Sequence, residues 1–282
     1  MNSFFPEFVL RLNSGLALAC WTVPARIVPS GFFRVQLWVC LGLSTAASLW
    51  LATNRDGAGW AFRGALLCAT VSYLGSVCWF YEKSSWGRVA LLVVAGASVA
   101  SALSMRVMTS PASISELPDV SALVSSFLDH TTSAMVLGWT TTSMLLGHWY
   151  LNAPGMQLGP LQRLIGGVVF AIALRTCYEW MGGAGMIFWS TGSPAFLALG
   201  VLRWLAGILG TFVMAILAWR TLRIPNTQSA TGILYVAVMF VFVGELASLI
   251  LSTRSGPGDP LGWASASSGI TELWAACELG VR

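Results

Sequence analysis

The chain carries little charge, and so lacks the polar surface that a water-soluble domain needs. Of its 282 residues, 9% are Asp, Glu, Lys or Arg, whereas soluble proteins average about 25%. Hydrophobic residues make up 56% of the chain, and the mean hydropathy is +0.74. These values exclude a soluble globular protein. They predict an integral membrane protein, whose outer surface faces lipid.

Basic clusters and the common motifs of catalysis are also missing. Lys83 is the single lysine, and no run of basic residues forms a nucleic-acid-binding patch. The six cysteines contain no C-x-x-C pair, and the chain has no Walker A, G-x-S-x-G or H-E-x-x-H motif. The sequence therefore predicts no nucleic-acid partner, no metal site, no catalytic residue and no covalently bound cofactor.

Long apolar runs dominate what is present. Eight of them alternate with short links rich in Gly, Pro, Asn and Ser, and each is about long enough to cross a bilayer as a helix. Backbone groups in hydrocarbon must be hydrogen-bonded within the protein, so the prediction is an all-α, polytopic transmembrane bundle of about eight spanning helices. The predicted segments are 4–23, 35–53, 62–81, 88–105, 124–151, 162–181, 195–219 and 229–251.

The pattern divides the chain into a single bundle over 1–252 and an extramembrane tail over 253–282. The tail ends in GITELWAACELG, which places apolar residues on one helix face and Glu272 and Glu278 on the other. This pattern predicts a short amphipathic helix lying on the membrane surface. A helix that docks a partner subunit is the alternative.

The basic residues of the links predict the orientation. Seven lie in the links of one side and five on the other, which by the positive-inside rule places both termini outside. The excess of Arg over Lys indicates a bacterial chain, so the predicted location is the bacterial inner membrane.

Ionisable residues inside the predicted spans are the sharpest functional signal, because charge in hydrocarbon is costly. Since successive spans run in opposite directions, all these residues fall near the same side and predict a polar layer beneath one interface. Arg11 belongs to this layer, and Arg175 and Glu179 are spaced to pair on one helix face. The candidate ligand-binding residues are Asp129, His130, Arg175, Glu179, Arg203 and Glu245.

Both histidines of the chain lie in segment 124–151, about 27 Å apart along a helix. A bis-histidine haem needs ligands from facing helices, so this chain alone cannot hold one. His148 lies in the stretch HWYLN, which is typical of an interfacial anchor. His130 follows Asp129, and this pair suits proton exchange.

The layer has two interpretations. In one, the charges form buried ion pairs that set the helix register. In the other, they surround a cavity for a polar head group or a proton path. A carboxylate, a histidine and an arginine near one interface suit the carbonyl groups of a quinone, and equally suit an organic anion in transit.

Three stretches carry a resemblance to a known family: FVLRLNSGLALA at 8–19, TTSAMVLGWTTTSMLLG at 131–147 and VFVGELASLIL at 241–251. With its eight predicted spans, the chain resembles the quinol-interacting membrane-anchor subunits of dimethyl-sulfoxide-reductase and polysulfide-reductase type complexes. The resemblance implies a subunit of a bacterial electron-transfer complex that binds quinone and anchors partner subunits among membrane lipids. It implies no catalysis by this chain alone, and it assigns no individual residue.

Two other functions fit the same pattern. A small-solute transporter or channel would use the polar layer as its binding site. A non-catalytic scaffold would use it to hold helices and partner subunits together.

Overall fold

The computed structural model describes residues 4–53, 59–109, 120–153, 155–181, 194–224 and 226–254. Helices fill most of these ranges, and none of them contains a strand, so the predicted all-α fold is confirmed. The tail predicted to carry an interfacial helix lies outside the described residues. The described helices are α1 (Phe4–Thr22), α2 (Ser30–Thr53), α3 (Gly59–Phe80), α4 (Ser84–Thr109), α5 (Val120–Asn152), α6 (Gly159–Trp180), α7 (Pro194–Leu222) and α8 (Thr227–Arg254).

Each helix coincides with one predicted segment, but several begin a few residues earlier than the apolar run. Helix α2 begins at Ser30, α4 at Ser84 and α8 at Thr227. Helix α6 carries a proline in its first turn. Ser, Thr and Pro suit the first turn of a helix, where backbone N–H groups have no partner within the helix. An apolar run in the sequence marks the part of a helix that lipid surrounds. The polar first turn therefore lies outside the predicted segment.

Six of the described helices are long and apolar enough to cross a membrane: α2, α3, α4, α6, α7 and α8. The chain is therefore an integral membrane protein, while the predicted number of about eight spans is confirmed only for these six. Helices α1 and α5 are not among these six, and both contain polar residues. Helix α1 includes Glu7, Arg11 and Asn13, and α5 includes Asp129 and His130.

The two polar helices lie at the centre of the bundle. Helix α1 packs against α2, α4 and α5, and α5 packs against α1, α6 and α8. Helices α2, α3 and α4 pack in succession on one side, while α7 packs against α6 and α8 on the other. The more apolar helices thus surround the polar ones, as expected where the outer surface faces hydrocarbon.

Two glycine contacts bring helix backbones together. A Cβ atom on Gly138 of α5 would lie 2.0 Å from the carbonyl carbon of Gly15 in α1. A Cβ atom on Gly244 of α8 would lie 2.2 Å from the Cα atom of Gly207 in α7. Small residues at such contacts are common between helices in membranes. Both contacts lie about one turn from charged residues of the polar layer.

Helix α7 changes its winding along its length. Residues Arg203–Gly210 are π-helical, and the chain continues as α-helix over Thr211–Leu222. The hydroxyl of Thr211 reaches the carbonyl of Ala206, five residues earlier, at 3.3 Å. Such wider turns frequently occur at functional sites. The π-helical stretch packs mainly against α8.

Candidate functional site

The polar layer is a network of eight charged side chains joined by nine ion pairs within the described residues. Four arginines face four carboxylates, so the network carries no net charge. Six helices contribute to it, and α2 and α3 do not. Its members are Glu7, Arg11, Arg106, Asp129, Arg175, Glu179, Arg203 and Glu245.

Half of the network forms a closed ring of two arginines and two carboxylates, contributed by α1, α4 and α5. Arg11 Nη2 lies 2.8 Å from Glu7 Oε1 and 2.5 Å from Asp129 Oδ2. Arg106 pairs with the same two carboxylates, with Nη2 2.9 Å from Asp129 Oδ2 and Nε 3.0 Å from Glu7 Oε1. The Arg106 side chain is 29% exposed and that of Asp129 14%. We call these four residues the open ring.

The other half is a second ring of the same composition, contributed by α6, α7 and α8. Arg175 Nη2 lies 3.2 Å from Glu179 Oε1 and 3.3 Å from Glu245 Oε2. Arg203 pairs with the same carboxylates, at 2.9 Å from Glu179 Oε1 and 2.6 Å from Glu245 Oε1. All four side chains are only 1% exposed. We call these four residues the sealed ring.

Among the described residues, the ion pair of Arg175 with Asp129 joins the two rings. Arg175 Nη1 donates to Asp129 Oδ1 at 2.8 Å and to the Asp129 main-chain carbonyl at 3.2 Å. Asp129 therefore accepts hydrogen bonds from three arginines: Arg11, Arg106 and Arg175. It is the residue through which the two halves of the bundle share one polar layer.

Hydroxyl groups add to the sealed ring, although the Nε atoms of Arg175 and Arg203 have no hydrogen-bond partner among the described residues. Ser133 Oγ donates to Glu245 Oε2 at 2.5 Å. Arg175 donates to Thr132 Oγ1 and to Ser248 Oγ, both at 3.1 Å. Buried charge is tolerated when its hydrogen-bonding capacity is used in this way. The four side chains of the sealed ring are thus almost inaccessible to water.

The network contains five of the six candidate residues predicted from the sequence, and His130 lies apart from it. The His130 ring is 1% exposed, and its Nε2 atom lies 3.1 Å from Ser14 Oγ. The predicted pair of Arg175 and Glu179 is present, four residues apart on α6. Whether any of these residues binds a ligand stays a prediction.

Three members of the open ring, Glu7, Arg11 and Arg106, are absent from the six candidates, although the sequence places Arg11 in the polar layer. Glu7 is spaced four residues from Arg11, which is the spacing of an ion pair on one helix face. Arg106 lies in the last turn of α4, just beyond the predicted segment. The alternation that placed the other charges beneath one interface also places Arg106 there.

The second histidine lies near the opposite end of α5. His148 is exposed, and its Nδ1 atom lies 3.4 Å from the hydroxyl of Tyr235 in α8. The imidazole ring of His148 and the phenol ring of Tyr235 pack edge to face, with centroids 6.4 Å apart. An amphipathic histidine beside a tyrosine is consistent with the predicted interfacial anchor.

The composition of the network limits its chemistry. Each carboxylate is separated from the next by a guanidinium group, which does not release its proton in proteins. Protons therefore cannot pass from carboxylate to carboxylate along the ion pairs themselves. No group of three or more His, Cys, Asp or Glu side chains within the described ranges is placed to hold a metal ion. The layer can hold helices together, and at its accessible edge it presents guanidinium donors.

A second polar cluster links the helices of the first half. Asn13 Nδ2 donates to Ser44 Oγ at 3.1 Å and to Ser98 Oγ at 2.8 Å. The Ser98 hydroxyl also lies 3.3 Å from Cys68 Sγ. These contacts join α1, α2, α3 and α4, and so position the helices that present the open ring.

Comparison of the chain with protein-family models, with curated proteins and with solved structures found no match in any of the three.

Proposed function

We propose that this chain is an integral membrane subunit of a bacterial electron-transfer complex that anchors partner subunits and binds the ring of a quinone at the open ring. The observation that supports this is the difference in exposure across the network. Arg106 and Asp129 reach the edge of the bundle, whereas the sealed ring is closed. A polar edge on an otherwise apolar surface suits a ligand with an apolar tail and a polar ring.

The chemistry of a quinone fits this edge. Its carbonyl oxygens accept hydrogen bonds, and Arg106 belongs to the residue type that donates them best. Glu7 and Asp129 hold the guanidinium group of Arg106 in place, and they balance its charge. The apolar tail of the quinone would remain in the surrounding hydrocarbon.

We also propose that α1 and α5 cross the membrane with the six more apolar helices. Helix α5 is 33 residues long, or about 50 Å, and α1 is 19 residues long, or about 28 Å. Both pack lengthwise at the centre of the bundle, where neighbouring helices shield their charges from lipid. Eight crossings would place both termini on one side, which the basic links predict to be the outside of the inner membrane.

Binding of decylubiquinone to the purified chain tests the proposed function. We expect Arg106→Gln to weaken binding about 10- to 150-fold, because a hydrogen bond from a charged donor is worth about 1.5–3 kcal/mol. Arg63→Gln is the matched control, because Arg63 is an exposed arginine near the start of α3 that stacks on Trp60. Equal affinity in the two variants, or no binding by the unaltered chain, would overturn the quinone proposal.

A scaffold without a ligand is the second candidate, and the sealed ring favours it. Four mutually paired charges at 1% exposure suit a role in fixing helix positions. Gentle purification distinguishes the two candidates. A scaffold predicts co-purifying partner subunits and no quinone in the organic extract of the complex.

A further inference from the structure

A groove of about 720 Å³ lies between α6 and α7, within the range of small-molecule sites. We propose that it binds one acyl chain of a membrane phospholipid. The groove uses no residue of the open ring, so this inference does not depend on quinone binding.

The shape of the groove follows from the two windings of α7. Helix α6 packs against the α-helical part, Thr211–Leu222, where Trp219 lies against Gly166. The π-helical stretch instead packs mainly against α8, so α7 diverges from α6. At the other end, Arg203 and Glu179 tie the two helices together with a 2.9 Å ion pair. The groove lies between these two points.

The lining of the groove is almost wholly carbon. Thr176 has the one hydroxyl among the lining side chains, and it donates to the Ile172 carbonyl at 2.8 Å. Such a surface suits a hydrocarbon chain, because it presents almost no donor for a quinone carbonyl or a phosphate. The lining residues are Val169, Ile172, Ala173, Thr176, Cys177, Trp180, Trp204, Leu205, Ile208, Leu209 and Phe212.

The length and position of the groove match one leaflet. From Val169 to Trp180 the helix rises about 16 Å, roughly half of the ~30 Å hydrocarbon core. Trp180 and Trp204 pack edge to face at one end, with centroids 6.2 Å apart, and tryptophans are enriched where the head groups begin. Both helices are apolar enough to span the membrane, and Leu205 is 59% exposed on the outer side of α7. The groove therefore opens to lipid.

Filling the groove tests the proposal. The full chain is purified in mild detergent, and native mass spectrometry measures its mass together with any bound lipid. The retained lipids are then extracted and identified. We expect one firmly retained phospholipid per chain, lost in Ala173→Trp. Ala100→Trp is the matched control, because Ala100 is an exposed alanine on α4, and it should retain the lipid. Retention of the phospholipid by Ala173→Trp, or an isoprenoid quinone that the unaltered chain retains and Ala173→Trp loses, would overturn the proposal.

A second measurement needs no substitution. Cys177 lines the groove and is exposed, whereas Cys78 lies on α3 and is partly buried. Delipidated protein is treated with a maleimide before and after adding phosphatidylglycerol and phosphatidylethanolamine, and the labelled cysteines are identified by peptide mapping. We expect phospholipid to slow labelling of Cys177 and leave that of Cys78 unchanged. Equal rates at Cys177 with and without phospholipid would contradict the proposal.

Discussion

The open ring and the sealed ring have the same composition and the same pattern of pairing, yet they differ in access. Each holds two arginines and two carboxylates, and in each both arginines contact both carboxylates. Arg106 in the open ring is 29% exposed, while Arg203 in the sealed ring is 1% exposed. The first side chain is thus partly exposed, and the second is buried. The same set of charges is therefore partly accessible in one place and closed in the other.

The two rings also share a structural device. Gly15 follows Arg11 by four residues in α1, and Gly207 follows Arg203 by four residues in α7. Each glycine touches a glycine of a neighbouring helix. Because the backbones meet one turn away, the arginine side chains can reach carboxylates on the adjacent helix. Close helix approach and ion pairing therefore depend on each other.

The largest expected effect is the loss of a carboxylate from the sealed ring. Glu245→Gln keeps the size of the side chain but leaves Arg175 and Arg203 with one excess positive charge. Breaking a buried ion pair from one side costs about 3–5 kcal/mol. We expect a loss of this order in the free energy of unfolding, measured by denaturant titration in detergent micelles. Glu7→Gln, the matched change in the open ring, should cost clearly less, and equal costs would remove the distinction between the rings.

The glycine contacts should give the next largest effect. A methyl group added at Gly138 or Gly207 meets the backbone of the facing helix, and overpacking of this kind costs about 1–3 kcal/mol. Gly138→Ala and Gly207→Ala should therefore lower the unfolding temperature. Gly42→Ala is the control, since a Cβ atom there meets nothing within 4 Å. It should leave the temperature unchanged or raise it, because alanine favours the helix. A similar loss in all three variants would show that the contacts are not tight.

The smallest expected effect is that of Arg106→Met, and it should depend on the salt concentration. Arg106→Met removes a partly exposed guanidinium, and ion pairs of this kind are worth roughly 0–1 kcal/mol and are screened by salt. We expect the cost of Arg106→Met to shrink as sodium chloride is raised. The cost of Arg203→Met should stay large and constant, because the pairs of Arg203 are buried. Unfolding titrations at low and high salt measure both, and a salt-dependent cost for Arg203→Met would show that the sealed ring admits solvent.

Much of the network could be predicted from the sequence because helical membrane proteins obey simple geometry. The alternating direction of successive spans predicts on which side each ionisable residue lies. It predicts one common layer for Asp129, Arg175, Glu179, Arg203 and Glu245. Arg106 is not among the predicted residues because the apolar run of its helix ends at residue 105.

Pairing within the layer could not be predicted in the same way. The sequence does not tell which helices are neighbours or how each is rotated about its axis. His130 follows Asp129 directly, yet its hydrogen-bond partner is Ser14 in α1, whereas Asp129 pairs with three arginines. Adjacent residues on a helix point about 100° apart, so adjacency in the chain does not bring their side chains to the same site.

The sequence by itself determined that this is a helical membrane protein, where its helices run and which ionisable residues lie within them. Composition and helical rise suffice for these, because they depend on single segments and on the bilayer. The tertiary structure alone decided that the charges form two rings of unequal access and that α6 and α7 part to form a groove. Both depend on which helix faces which and on the π-helical winding of α7, and these follow from the packing of the whole chain.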